Sequence, residues 1–275
     1  MPSDLLVITT IAPFVAGIAL AVVVGMVARR DPACLIATAL SFGAIYVMLE
    51  GLPPLLPVSA KQKLAYLLVA APVWSALAPR LNITRSLGTA LFLAASLGWL
   101  GQAKLAQPGG LAAMAFLLVP VSAAALGSLS LKRSDPDRFV WPLCLTALAI
   151  GGSVLSLLGS FVGFAQVAGA FAACIGGYLS VRYVLRLLGK DRRLAPLTAD
   201  ALGFLILAFP LVLIVIGLFA PGISHAGVIA LSASLLMPLV VPALAGWPGL
   251  VRPILQGLIA AIPCAIALTL ALLLS

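Results

Sequence analysis

An all-α integral membrane protein of about ten transmembrane helices is the fold class this sequence predicts, on three observations. Of 275 residues, 63% are hydrophobic and only 8% are charged, with a mean hydropathy of +1.24. A soluble domain carries about a quarter of its residues as charges, so this chain has too few to face water over most of its area. Its apolar residues fall into ten blocks, each near the ~20 residues that cross a ~30 Å hydrocarbon core. Finally, most of the positive charge lies in alternate gaps between the blocks.

The first block, 5–28, is followed by Arg29 and Arg30. A secretory signal carries its basic residues before a shorter apolar core, so this block reads as a retained span. Span 34–50 opens after Asp31-Pro32 and closes at Glu50-Gly51, and a connection containing Pro53, Pro54 and Pro57 leads to span 63–79. Spans 86–103 and 111–131 are separated by Pro108-Gly109-Gly110; spans 139–158 and 164–185 follow Pro136 and precede the basic run to Arg193. Span 201–219 ends before Pro221-Gly222, and Trp247-Pro248-Gly249 divides span 226–245 from span 253–274. Such Pro and Gly clusters punctuate helices. Pro13, Pro72, Pro120, Pro210, Pro238, Pro242 and Pro263 fall inside spans. Each removes a backbone donor and clashes with the preceding turn, so several spans are predicted to be kinked or broken. Trp74, Trp99, Trp141 and Trp247 lie near span ends, where interfacial aromatic anchors belong.

Cytoplasmic loops collect Lys and Arg. One set of alternate loops holds Arg29, Arg30, Arg80, Arg85, Lys132, Arg133, Arg138, Arg182, Arg186, Lys190, Arg192, Arg193 and Arg252; the other holds only Lys61, Lys63 and Lys104. The first set is therefore assigned to the cytoplasm of a cell with an inner (plasma) membrane, with both termini on the non-cytoplasmic side. The net charge of +9 follows from this bias and lies beside anionic headgroups, so the expected partner is the lipid bilayer and not nucleic acid. A membrane-protein partner or a homo-oligomer is compatible with the pattern. Ten spans with short loops use the whole length, so residues 1–275 read as a single polytopic domain. A division into inverted halves, 1–138 and 139–275, is geometrically allowed for an odd number of spans per half, but no shared motif supports it.

Cys34, Cys144, Cys174 and Cys264 lie in four different spans, without the close spacing of a metal or redox site; no metal or cofactor is expected. Ala165, Gly169, Ala173 and Gly177 repeat at intervals of four. Small faces of this kind let helix backbones approach closely in lipid, which places the seventh span at the centre of the bundle. The Asp135-x-Asp137 pair precedes a span and reads as a helix cap.

Buried ionisable residues are the usual functional groups of membrane proteins, and this chain has almost none. Its seven acids lie at span ends or in loops, with Asp4 and Glu50 alone on the non-cytoplasmic side. The segment from Tyr46 to Tyr66 is the most distinctive, because its prolines stiffen a connection between Glu50 and two lysines, Lys61 and Lys63. A fixed carboxylate with a lysine in reach can hold a zwitterionic headgroup or act as an acid–base pair. His225, the only histidine, belongs to the same side. Tyr46, Glu50, Lys61, Lys63 and His225 are therefore the predicted substrate-binding residues. The expected function is transporter- or permease-like handling of a neutral or lipid-like substrate. The alternatives are a membrane-embedded enzyme acting on lipid-linked substrate at the outer face and a non-catalytic subunit of a membrane complex.

Overall fold

The computed structural model describes residues 6–27, 31–105, 107–132, 139–190, 196–220, 222–240 and 251–274, all helices and turns without a strand. A π-helical turn at Val7–Ile11 enters α1 (Ala12–Val27), followed by α2 (Asp31–Glu50), α3 (Ala60–Arg80) and α4 (Arg85–Leu105). One apolar stretch forms α5 (Gly110–Phe116), α6 (Leu118–Ser128) and a 3-10 turn at Leu129–Lys132. Then come α7 (Val140–Leu158), α8 (Val162–Leu187) and α9 (Ala199–Phe219). A second divided stretch comprises α10 (His225–Ser232), a 3-10 turn at Ala233–Leu235 and α11 (Met237–Val240), and α12 (Arg252–Leu274) ends the described chain. Arg29, Arg30, Asp135, Asp137, Arg192, Arg193, Pro242 and Trp247 lie outside the described residues, as does Asp4.

Among the described residues, seven helical stretches are long and apolar enough to cross a membrane: Val7–Met26, Pro32–Glu50, Gly110–Leu131, Val140–Leu158, Val162–Leu187, Ala199–Phe219 and Arg252–Leu273. This is a multi-pass, all-helical membrane protein. α3 and α4 have 21 residues each but carry Lys61, Lys63 and Arg80, and Arg85 and Lys104, respectively.

The prolines divide into two groups. α3, α9 and α12 continue through Pro72, Pro210 and Pro263 as single helices. Helical regularity changes just ahead of the other three among the described residues, Pro13, Pro120 and Pro238. The π-helical turn precedes Pro13, an interruption at Leu117 precedes Pro120, and the 3-10 turn at Ala233–Leu235 precedes Pro238. Proline strips the donor for the carbonyl four residues back, which is where each irregularity falls. The two divided stretches lie against each other: a Cβ on Gly127 of α6 would sit 2.0 Å from the Leu235 carbonyl oxygen.

α9, rather than α8, is the most enclosed helix, with 83% of its apolar window buried against 67% for α8. Its uniformly apolar sequence, FLILAFPLVLIVIGLF, has no polar face to turn outward, and such helices belong inside. Phe42 of α2 meets Phe171 of α8 and Phe209 of α9 edge to face, with centroids 4.8 and 5.7 Å apart. The apolar void beside these rings, lined by Gly152, Ala168, Phe209 and Val212, is about 10 Å³, no more than one water needs. Trp141 is buried with its indole N–H donated to Ser130 Oγ at 3.0 Å; it is a core residue and not an interfacial anchor.

The small-residue stripe of α8 serves two neighbours. Four residues advance the helix by about 40° beyond a full turn, so the stripe rotates as it rises. Near its start, the Ala165 carbonyl accepts from Ser153 Oγ of α7 at 2.7 Å, and Gly169 faces the same hydroxyl. Near its end, Gly177 faces α1, where a Cβ would lie 2.1 Å from the Phe14 carbonyl oxygen. α1 reciprocates: a Cβ on Gly17 would lie 1.8 Å from the Cys174 carbonyl oxygen. The two backbones are in direct contact.

Successive stretches reverse direction, which gathers particular turns at each end. Glu50 and Lys61 meet Gly163 at one end, where Phe116 also meets His225. At the other end, Arg85 Nη2 lies 2.6 Å from Asp200 Oδ1, and Ser75 Oγ donates to the Asp200 carbonyl at 2.7 Å. Gly203 makes room for this latch, since a Cβ there would meet Ser75 Oγ at 2.4 Å.

Candidate functional site

The site forms where α2 ends and α3 begins. Gly51 terminates α2 with φ at +78°, a left-handed conformation that glycine adopts without steric cost. Across the proline-rich turn, Ser59 caps α3. Its hydroxyl accepts from Gln62 N at 3.3 Å, while Gln62 Oε1 accepts from Ser59 N at 3.1 Å and Val58 N at 2.8 Å. This reciprocal capping box satisfies amides that the helix start leaves free. Tyr66 OH donates to the Pro54 carbonyl at 2.7 Å, and Tyr46 OH donates to the Lys61 carbonyl. The turn is thus tied to α3, and the start of α3 is tied to α2.

This frame aligns a two-point ion pair. Lys61 Nζ lies 2.9 Å from Glu50 Oε1 and 3.0 Å from Oε2. Side-chain exposure is 18% for Glu50 and 37% for Lys61, so the carboxylate is the more sheltered partner. The start of α8 supplies the wall: Lys61 Nζ stands 6.0 Å from the Phe164 ring centroid, and Gly163 leaves it space. A cleft of about 160 Å³ opens onto the pair, bounded by Tyr46, Pro53, Pro54, Ser59 and Gln62. The outer side of the turn is strongly apolar, with Leu52, Leu55, Leu56 and Val58 each at least 84% exposed. Fixed opposite charges therefore sit beside a projecting aliphatic surface.

Of the predicted residues, Tyr46, Glu50 and Lys61 come together here. Lys63 does not join them. The helical step of two residues turns it toward α4, where its buried ammonium donates to the Trp99 carbonyl at 2.9 Å and lies 5.6 Å from the Trp99 ring centroid. His225 is also elsewhere. It starts α10 behind the Ser224 cap and packs edge-on against Phe116, at a different cleft. Gly163 and Phe164 escaped prediction because nothing local to residues 162–164 signals a partner a hundred residues earlier. Among the described residues no group of three or more His, Cys, Asp or Glu side chains could hold a metal ion.

Gly163→Ala probes the frame without removing a charge. Its Cβ would fall 2.5 Å from Lys61 Nζ and 3.4 Å from Glu50 Oε1, so the flexible lysine end must move while the backbone stays. The expected result is a change in thermal stability worth under about 1 kcal/mol, together with loss of whatever ligand binding the pair supports. A large unfolding shift would show instead that Gly163 is a backbone packing position.

No known protein family matches this chain, and no curated protein or solved structure shows significant similarity to it.

Proposed function

We propose that this is a ten-span inner-membrane protein, with both termini outside the cytoplasm, that handles a neutral or lipid-like substrate in a transporter- or permease-like manner. The substrate class is a zwitterionic amphiphile engaged at the Glu50–Lys61 pair. The observation that carries the reading is the preformed ion pair beside the exposed Leu52, Leu55, Leu56 and Val58. A zwitterionic headgroup can place its anion against Lys61 and its cation against Glu50, so no net charge is buried. The aliphatic turn then meets the chains of the same molecule, in the way interfacial segments bury apolar residues at the headgroup boundary.

Native-membrane purification with identification of copurifying lipids tests this. Wild-type protein should retain zwitterionic lipid that Glu50→Gln and Lys61→Gln lose. Equal retention by all three would sink the assignment. Orientation is tested by thiol labelling from outside intact cells: Leu55→Cys should react and Lys190→Cys should not. The four native cysteines are buried, which keeps the background low. Labelling at 190 alone would reverse the topology.

The subunit reading has one observation in its favour. A shallow groove of about 370 Å³ between α1 and α2 is lined by Ala12, Ala16, Ala19, Ser41 and Ala44. Small residues on a membrane-facing surface suit a second helix. A stoichiometric protein in the same purification would support it.

A further inference from the structure

We propose that a second cleft at the Glu50 end of the bundle, between Lys104 and His225, binds a phosphate-bearing anion. The cleft has a volume of about 530 Å³, within the range of small-molecule sites. It shares no lining residue with the Glu50–Lys61 cleft, so this inference stands independently of the proposed function.

The chain builds the cleft from two turns that meet. Lys104 closes α4, and the α4–α5 turn folds back so tightly that a Cβ on Gly110 would lie 1.9 Å from the Lys104 carbonyl oxygen. That contact holds the lysine backbone in place. Its ammonium lies 5.7 Å from the Phe219 ring centroid, at the end of α9. Opposite, the His225 ring stands edge-on to Phe116, with centroids 4.7 Å apart and planes at 86°. Gln107 also lines the cleft. Gly109 and Gly222 both have positive φ, and nothing lies within 4 Å of where their Cβ atoms would be, so the backbone is open at the turns.

Charge selects the ligand. Among the described residues, Glu50 and Asp200 are matched to Lys61 and Arg85, whereas Lys104 has no carboxylate beside it. α10 also begins at the cleft. Its Gly227 amide is satisfied by Ser224 Oγ at 3.3 Å, but the amides of His225 and Ala226 precede it and have no acceptor within the helix. Lys104, Gln107 and His225 all line the cleft, and the first turn of α10 begins there. A tetrahedral oxyanion accepts donors from several directions, whereas a carboxylate accepts mainly in its plane. Ala112, Ala113, Leu218 and Ile223 make the rest of the wall apolar, so a phosphate carried on an apolar group also fits. Two sources share that chemistry: the headgroup of an anionic lipid and a free phosphate.

The test is titration calorimetry on the full-length protein in neutral detergent. The probes are inorganic phosphate, dihexanoyl phosphatidylglycerol, and dihexanoyl phosphatidylcholine as the zwitterionic counterpart. Saturable binding of at least one anionic probe is expected, stronger than that of phosphatidylcholine when the first site is removed by Glu50→Gln. Binding of phosphatidylglycerol alone identifies a lipid headgroup; binding of inorganic phosphate, with displacement of the lipid, identifies a free phosphate. Lys104→Gln should weaken the binding about tenfold, and Lys104→Arg should retain it. His225→Gln carries the same expected loss and replaces Lys104→Gln if that variant does not fold. Glu50→Gln should leave this binding unchanged even where it abolishes retention of zwitterionic lipid. The proposal is overturned if neither anion saturates, if phosphatidylcholine binds the Glu50→Gln protein as well as the anions do, or if a folded Lys104→Gln protein keeps wild-type affinity.

Discussion

Gly177→Ala is expected to destabilise the protein by about 3 kcal/mol, the upper range for overpacking a well-filled interior. The added Cβ would lie 2.1 Å from the Phe14 carbonyl oxygen and 3.1 Å from the Ile18 amide nitrogen. These are backbone atoms, so no side chain can rotate away, and α1 must separate from α8. Separation undoes the reciprocal contact at Gly17, where the Cys174 carbonyl approaches equally closely. In lipid, helices associate through such packing because apolar side chains gain little by leaving hydrocarbon. Gly176→Ala provides the control: nothing lies within 4 Å of its Cβ position, and a helix-favouring residue replaces glycine there. Thermal unfolding in detergent should show a fall of roughly 5–10 °C for Gly177→Ala and no fall for Gly176→Ala. Gly17→Ala combined with Gly177→Ala should cost less than the sum, since either one already parts the helices. Equal melting of the Gly176 and Gly177 variants would refute the direct backbone contact.

A double-mutant cycle at Glu50 and Lys61 is the second large effect. Each single alanine substitution leaves the partner charge half-buried without its counterion, whereas the double substitution removes both charges. Coupling of about 1–2 kcal/mol is expected, above a solvated surface pair and below a fully buried one. The bidentate distances of 2.9 and 3.0 Å and the 18% exposure of Glu50 place the pair between those limits. Raising salt should reduce the coupling, because the lysine is the more exposed member. The exchanged pair, Glu50→Lys with Lys61→Glu, should recover part of the stability while reversing the polarity offered to a headgroup. Zero coupling at low salt would mean that the ions are separately hydrated, leaving no preformed pair for a zwitterion to meet.

Lys63 shows the limit of reading a site along the chain. Lys61 and Lys63 are equivalent in composition and lie equally near the proline turn. Two residues on a helix are about 200° apart, so only one can face Glu50. Which one does so depends on the rotation of α3 about its axis, set by the capping box at Ser59 and by the contact of Lys63 with Trp99. His225 lies apart from the pair for another reason: it is on the same end as Glu50 but packs against Phe116 and lines the cleft with Lys104. The stripe of α8 reads as a packing surface along the chain, and Ala165, Gly169 and Gly177 of it lie against α7 and α1. Its division between α7 and α1 follows from the helical drift, and its partner Gly17 carries no signal of its own.

By itself the sequence determined the solvent, the helices and their ends, because apolar block length and Pro/Gly punctuation are local properties. Outside the two divided stretches, and with the π-helical turn counted into α1, each described helix end falls within about three residues of the block boundary, which is ordinary fraying. Pairings were decided only by the tertiary structure: Lys61 with Glu50, Gly163 and Phe164; Lys104 with Phe219; Arg85 with Asp200. Those choices depend on helix rotation and neighbour order. A nearly uniform apolar composition leaves both unspecified locally, and close backbone contacts such as Gly17–Cys174 and Gly177–Phe14 settle them.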